Sequence, residues 1–172
     1  MNPAVAQPPA FETRNDLDAE NRSRLIGRLN QLLADSLDLQ MQAKVAHWNV
    51  RGPHFLSFHE LFDDVHERVE GFTDLIAERI GQLGGLAEGN VQTVADRSHL
   101  DAYEQDVVPG TEHVERVAGG IATFAAHGRK GIDFAAEEGD EVTADILTEV
   151  TRSADELLWF VESHIQMMRP VE

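Results

Sequence analysis

Residues 57 to 84 constrain the fold most, because two stripes of side chains run along one uninterrupted segment at helical spacing. The first stripe is apolar and consists of Phe62, Val65, Val69, Phe72, Ile76 and Leu83. The second lies beside it and consists of His59, Asp63, Glu67, Glu70, Asp74 and Glu78. A helix of this length, about 40 Å, must bury its apolar stripe against other helices.

Similar periodicity predicts three further long helices. The first begins near residues 16 to 18, whose aspartates can cap it, and continues to about Trp48. The third long helix extends over residues 109–138, and the fourth is capped by Asp140 and continues to about Met168. Apolar residues of the fourth recur with the three- and four-residue spacing of a packed bundle helix.

The second long helix has predicted boundaries at both ends. Ser57 and Glu60 form a capping-box pattern, and Leu56 and Leu61 occupy the positions of a hydrophobic staple. Gly84–Gly85 is a typical helix stop. The connection that follows, residues 86 to 108, is long and contains one short helical candidate at 91–97.

These elements predict an all-α fold, a ferritin-like four-helix bundle with a short extra helix in the long connection between the second and third long helices. We expect residues 1–15 to form a disordered tail, residues 16–168 to form the domain, and residues 169–172 to form a short C-terminal tail.

Composition narrows the function. The chain carries 31 acidic and 14 basic residues, a net charge of −17, which attracts cations and repels phosphate backbones. It has no cysteine, so thiolate metal sites and disulfides are excluded. It shows neither a long apolar run nor a signal-peptide pattern, and we therefore expect a cytoplasmic protein, with association with the nucleoid left open.

The polar stripe contains nitrogen and oxygen ligands that suit iron(II), zinc or manganese. His59 and Asp74 are about 22 Å apart along the helix axis, so they cannot bind one ion within a single chain. Two antiparallel copies of the helix, related by a twofold axis near residues 66 and 67, would bring them together. Asp74 and Glu78 share one face, and His47 would lie near His59 across the short turn.

The residues of the polar stripe have other possible roles besides a metal site shared by two chains. An acidic helix face is often only solvated, and an isolated histidine is often structural. A di-iron site inside one bundle needs a Glu-x-x-His pattern on two helices. Asp63-x-x-His66 is the nearest match, and the third and fourth long helices offer no second copy, so we do not expect a site buried inside one bundle. The remaining histidines lack paired spacing and are expected to be structural or at the surface. They are residues 54, 66, 99, 113, 127 and 164.

Five motifs resemble those of the Dps family, the mini-ferritins named for a DNA-binding protein of starved cells. They are HWNVRGPHF at 47–55, HELFDD at 59–64, the Asp74-x-x-x-Glu78 pair, DEVTADILT at 140–148 and LLWF at 157–160. The similarity covers nearly all of residues 20 to 168.

The resemblance implies a dodecameric hollow shell that oxidises iron(II), with hydrogen peroxide or dioxygen, and stores iron(III) mineral. It implies a ferroxidase centre for two iron ions, with zinc as a competitor, in which His47 and His59 face Asp74 and Glu78 of the twofold mate. Trp48 resembles the tryptophan beside that centre, although it can also be a core anchor. Asp63 is the favoured additional metal ligand, ahead of Glu67 and Glu70.

The resemblance also implies a pore for iron uptake, lined by Asp145 first, Glu141 second and Asp140, which has the alternative role of a helix cap. A nucleoid DNA-binding protein and a bundle that uses metal only for assembly are the competing functions. Residues 1–13 contain no Lys or Arg. We therefore expect no DNA-binding residues, and protection of DNA through iron and peroxide removal. Since no long apolar run is present, we also expect no membrane association.

Overall fold

The computed structural model describes residues 8–104, 106 and 109–166, and within these ranges the regular structure is helical. The helices are α1 (Ala19–Asn49), α2 (Phe55–Gln82), α3 (Val91–Arg97), α4 (Gly110–Glu137) and α5 (Glu141–Glu162). None of the helices in these ranges combines the length and the apolar character that a membrane span needs. The four long helices and the short α3 confirm the predicted element order.

Side-chain caps explain three of the helix starts. Asp18 accepts the backbone N–H of Glu20 at 2.8 Å, which begins α1 where the sequence predicted. Asn90 accepts the N–H of Thr93 at 3.0 Å and begins α3. Asp140 caps α5 as predicted, by accepting the N–H of Thr143 at 3.0 Å.

The predicted start of the second long helix was wrong. Helix α2 begins at Phe55, two residues before Ser57, and its first turn has no side-chain cap. The hydroxyl of Ser57 donates to the backbone carbonyl of His54 at 3.0 Å, so Ser57 lies inside the helix and does not form a capping box with Glu60.

The predicted end of the fourth long helix was also wrong. Helix α5 ends at Glu162, and the backbone N–H of Ser163 donates to Trp159 before the chain turns. The predicted end at Met168 and the C-terminal tail lie outside the described residues, as do residues 1–7 of the N-terminal tail. Ala10 and Phe11, expected in that tail, donate backbone hydrogen bonds to the carbonyl of Gly84, so this part is held against the end of α2.

The long connection allows α2 and α4 to run in the same direction. Phe62 lies 6.4 Å from His113 between ring centroids, and Phe72 lies 6.3 Å from Phe124 further along both helices. Helix α1 packs along α2, and α4 packs along α5. The apolar seam of α5 is buried as predicted from Leu147 to Val161. This arrangement confirms a four-helix bundle with one crossover.

Candidate metal centre

Two histidines meet where α1 ends and α2 begins. The imidazoles of His47 and His59 stack with ring centroids 3.6 Å apart and an angle of 21° between the planes. Nδ1 of His47 lies 2.8 Å from the carbonyl oxygen of His59, and Nδ1 of His59 lies 2.8 Å from the carbonyl oxygen of His47. The turn between the helices that allows this approach contains Gly52 at φ 111°, a backbone conformation that favours glycine.

The two hydrogen bonds determine which nitrogen of each ring is available. A carbonyl oxygen can only accept, so Nδ1 of both rings must carry the proton and donate it. In the neutral imidazole, Nε2 then keeps its lone pair and can bind a metal. Phe55 stacks against His59 at 5.1 Å, which further restricts that ring. The structure thus places two candidate nitrogen ligands side by side, with Nδ1 of each ring engaged by a backbone carbonyl.

Asp63 lies beside this pair but already has a cationic partner. Its carboxylate forms an ion pair with the ammonium of Lys44, and its Oδ1 is 3.8 Å from Nδ1 of His47. The hydrogen bond from Lys44 is the main reason that the pKa of Asp63 is held below its usual value. Asp63 is therefore ionised near the histidines, and its role as a metal ligand stays a prediction.

The structure does not bring Asp74 and Glu78 to the histidines within one subunit. Both are exposed on the same face of α2, one turn apart, and the helix is continuous from His59 to Glu78. Fifteen residues of helix separate Asp74 from His59 by about 22 Å. Glu67 and Glu70, between them, are also exposed. The predicted set of four ligands therefore cannot form within one subunit and would need a second one.

Trp48 follows His47 at the end of α1 and is 54% exposed. Its side chain is therefore not an anchor of the subunit core, and that alternative was wrong. An indole so exposed and next to a candidate ligand is available to an adjacent subunit or to the metal centre.

Asp140 was predicted among the pore-lining residues, and the structure places it in the interior. Its side chain is 2% exposed, and both carboxylate oxygens accept from Nη2 of Arg79 at 2.9 Å. Burial by itself raises the pKa of Asp140, but hydrogen bonds from Thr143 and Arg79 outweigh it and hold that pKa below its usual value. Asp145 and Glu141 are exposed at the start of α5 and remain candidates for the pore.

The structure also brings together three residues that the sequence did not connect. Asp35, on α1, lies between His99 and His127, and their candidate ligand atoms are within 4.8 Å of one another. From the sequence, we expected both histidines to be structural or at the surface, because they lack paired spacing and lie 28 residues apart. One signal was available, since Asp35 is a carboxylate at a position that the apolar periodicity of α1 places on its buried face.

Comparisons with known proteins agree with this fold. A ferritin-like domain model matches residues 26–171. The DNA protection during starvation protein of Agrobacterium fabrum is 41% identical over 155 residues, which cover 90% of this chain and 96% of that protein. DpsA14 from Streptomyces coelicolor has a TM-score of 0.88 at 29% identity and covers 95% of this chain and 96% of its own.

A third similar protein is the Dps from Microbacterium arborescens, whose structure was solved in the high iron form. It has a TM-score of 0.80 at 28% identity, over 86% of this chain and 96% of its own. These matches confirm the predicted ferritin-like four-helix fold.

Proposed function

We propose, since the chain belongs to the Dps family of ferritin-like proteins, that it oxidises iron(II) and stores the iron(III) product inside a shell of identical subunits. The observation that carries this proposal is the stacked His47–His59 pair, in which Nδ1 of each ring bonds a backbone carbonyl and Nε2 takes no part in those bonds. The matching carboxylates, Asp74 and Glu78, are exposed on the same helix but out of reach. Two subunits related by a twofold axis supply both halves of each centre.

Each group has a defined part in the reaction. The imidazoles bind iron(II) through nitrogen, and the carboxylates of Asp74 and Glu78 bind it through oxygen and favour the higher charge of iron(III). Two iron(II) ions give one electron each to hydrogen peroxide. The O–O bond breaks, and two iron(III) ions and two hydroxide ions result. Few nitrogen ligands and several carboxylates allow iron(III) to leave towards a mineral, and zinc competes for the same ligands.

Exposed apolar side chains support assembly into a shell. Trp48, Trp159 and Val142 are each more than half exposed, as are Leu56 and Leu86. Exposed tryptophans such as Trp48 and Trp159 are typical of contact surfaces between proteins, where aromatic residues are enriched. We propose a dodecamer located in the cytoplasm, with exposed Asp145 and Glu141 at a pore that concentrates iron(II).

The decisive experiment is complementation between two inactive variants. His59→Ala and Asp74→Ala each damage every centre when present in all subunits. A mixed dimer contains one centre with both residues intact, so random co-assembly restores about a quarter of the centres. Iron(II) is loaded without oxygen, hydrogen peroxide is added, and the iron(III) absorbance and particle size are followed.

Recovery of oxidation in the mixed shells, absent from a mixture of separately assembled variants, supports a centre shared between subunits. Oxidation that is unchanged in both single variants shows that these residues do not form the centre. Variants that are inactive alone and remain inactive after verified co-assembly contradict the shared arrangement.

Direct DNA binding is the competing function, and the relative from Agrobacterium fabrum is named for DNA protection. The charge of this chain, −17, opposes it. Arg24 is paired with Glu20 and Glu138, so one of the few N-terminal cations is already neutralised. We therefore propose that this protein protects DNA by removing iron(II) and peroxide.

A further inference from the structure

We propose that Asp35, His99 and His127 form a second metal site, separate from the proposed ferroxidase centre, which binds a zinc(II)-type ion. The three residues come from α1, the connection after α3, and α4. Asp35 and His47 are twelve residues apart on α1, which separates this site from the His47–His59 pair by about 18 Å. The proposal of this second site therefore does not depend on whether the protein oxidises iron.

The ligand atoms lie close enough together to converge on one ion. Nδ1 of His127 lies 2.9 Å from Oδ2 of Asp35, and Nδ1 of His99 lies 3.7 Å from Oδ1. Tetrahedral zinc with bonds of about 2.0–2.1 Å requires ligand atoms roughly 3.3 Å apart. The two observed distances run to different oxygens of the Asp35 carboxylate, and one ligand atom from each of the three residues lies within 4.8 Å of the others. Side-chain movements therefore have to bring the three atoms closer together around an ion.

Two donors hold Oδ1 of Asp35 in position, in addition to the hydrogen bond between Oδ2 and Nδ1 of His127. Its Oδ1 accepts the backbone N–H of His99 at 2.9 Å and the amide of Gln31 at 3.2 Å. Gln31 also donates to the backbone carbonyl of Arg97 at 2.6 Å, which fixes the amide against the end of α3. Hydrogen bonds of this kind orient a metal-binding carboxylate.

Burial and access are both suitable for a cation site. The side chain of Asp35 is fully buried, and a buried carboxylate needs compensation by a cation or by hydrogen bonds. The side chain of His99 is 39% exposed, so an ion and a water ligand can reach the site from that side. Binding at Nδ1 of a neutral ring moves the ring proton to Nε2.

One neighbouring charge opposes binding. Nη2 of Arg28 donates to the backbone carbonyl of His127 at 3.2 Å, so a guanidinium lies near the site. Its repulsion lowers the affinity for a divalent cation, but the site keeps two nitrogen ligands and one charged oxygen ligand, a set that suits zinc. An ion bound there would join α1, α4 and the connection between α3 and α4.

Zinc titration tests the proposal in assembled protein that carries Asp74→Asn and Glu78→Gln, two exposed substitutions that remove the carboxylate half of the proposed ferroxidase centre. Competition with a chromophoric chelator measures affinity and stoichiometry, and cobalt(II) absorption reports nitrogen and oxygen ligands. We expect one ion per chain at this site. His99→Ala should weaken its binding by at least about tenfold. His164→Ala, another exposed histidine, is the matched control and should leave binding unchanged.

His127→Gln provides a second variant, and far-ultraviolet circular dichroism with particle size confirms that each variant folds and assembles. Loss of the same ion in both His99→Ala and His127→Gln supports the site. Equal zinc affinity and stoichiometry in the His99→Ala, His127→Gln and parent proteins would overturn it, as would the absence of zinc binding in the parent. Iron oxidation by protein with intact Asp74 and Glu78 is measured separately, so failure of this site and failure of the proposed function are distinguishable.

Discussion

His47 and His59 restrain each other, because Nδ1 of each ring donates to the backbone carbonyl of the other at 2.8 Å. This reciprocal pair joins the last turn of α1 to the beginning of α2. It supplies a donor to the carbonyl of His47, one of the last carbonyls of α1, and leaves Nε2 of both rings outside these hydrogen bonds. The hydrogen bonds between the helices and the proposed metal binding therefore use different nitrogens of the same ring.

The substitution His59→Asn separates these two functions. An asparagine amide can occupy the place of Nδ1 and keep the hydrogen bond to His47, but it has no group at the place of Nε2. We expect the free energy of unfolding to change by less than about 1 kcal/mol. Peroxide-dependent iron oxidation should fall by at least about tenfold. Urea unfolding and the iron(III) absorbance measure the two quantities.

His66→Asn is the matched control for that substitution. Nδ1 of His66 also pairs with a backbone carbonyl, that of Gln40 at 3.1 Å, and His66 lies on the same helix. This variant should retain both stability and oxidation. If His59→Asn also retains normal oxidation, Nε2 of His59 is not a ligand.

Asp145→Asn should slow iron uptake at low iron(II) concentration and leave oxidation at saturating iron(II) unchanged. The exposed carboxylate at the start of α5 contributes to the negative potential of the proposed pore. Stopped-flow kinetics at two ionic strengths measure the effect, which salt should reduce. Glu115→Gln removes an exposed charge from the other end of the subunit, near the start of α4, and should have no such effect. If Asp145→Asn and Glu115→Gln take up iron at the same rate at low iron(II) concentration, Asp145 does not line the pore.

The Arg79–Asp140 pair predicts a loss of stability in acid. The pKa of Asp140 in the folded protein is below its value in the unfolded chain, which is about 3.9. The stabilisation is therefore complete above that value and is lost as the pH falls through the lower, folded-state pKa. Asp140→Asn should reduce the free energy of unfolding by roughly 3–5 kcal/mol at pH 7, because it leaves buried Arg79 without its anion.

Denaturing the wild type and the Asp140→Asn variant at several acid pH values tests this prediction about stability. The difference between wild type and Asp140→Asn should shrink as the pH falls below 4, since protonation of Asp140 removes the same charge. A difference that stays constant down to acid unfolding would show that the charge of Asp140 does not stabilise the fold.

Two glycines of α4 should respond to alanine in opposite directions. A Cβ at Gly128 would collide with the hydroxyl of Thr151 on α5, whereas a Cβ at Gly119 would meet nothing within 4 Å. Gly128→Ala should cost about 1–3 kcal/mol through overpacking. Gly119→Ala should stabilise by about 0.5–1 kcal/mol through helix propensity. Chemical denaturation measures both, and equal effects would contradict the close approach of α4 and α5.

The protein should not retard duplex DNA in a gel at pH 7 and low salt with a chelator present. Affinity for DNA requires Lys and Arg to neutralise phosphates, and the chain carries −17 overall. The chelator prevents divalent cations from bridging shell and DNA. A retarded complex that disappears when residues 1–24 are deleted would restore the DNA-binding alternative.

Helix order and most helix ends could be predicted because local signals decide them. Asp18 and Asp140 cap helices directly, and Gly84 adopts φ 84° at the end of α2. The predicted start of α2 at Ser57 was wrong because the helix begins at Phe55, and the Ser57 hydroxyl then donates to the carbonyl of His54. The end of α5 was missed because its apolar spacing continues to Met168, beyond the turn that begins at Ser163.

The candidate centre could be predicted only in part. Helical spacing placed Asp74 with Glu78 and the short turn placed His47 near His59, but the reciprocal hydrogen bonds depend on backbone geometry that spacing does not specify. Asp140 was misplaced because a cap and a pore residue have the same sequence pattern, and only the approach of Arg79 from α2 distinguishes them. His99 and His127 meet Asp35 through the bundle crossover, which no local pattern contains.

The continuity of α2 would also make the proposed iron oxidation depend on protein concentration. A straight helix keeps its histidine end and its carboxylate end about 22 Å apart, and no rotation of side chains can close that distance. In the proposed centre, a newly made subunit therefore holds only half of the chemistry. At that centre, oxidation would begin only when two subunits associate. Dilution below the dissociation constant of that contact would abolish the proposed oxidation without any change in the fold of the subunit.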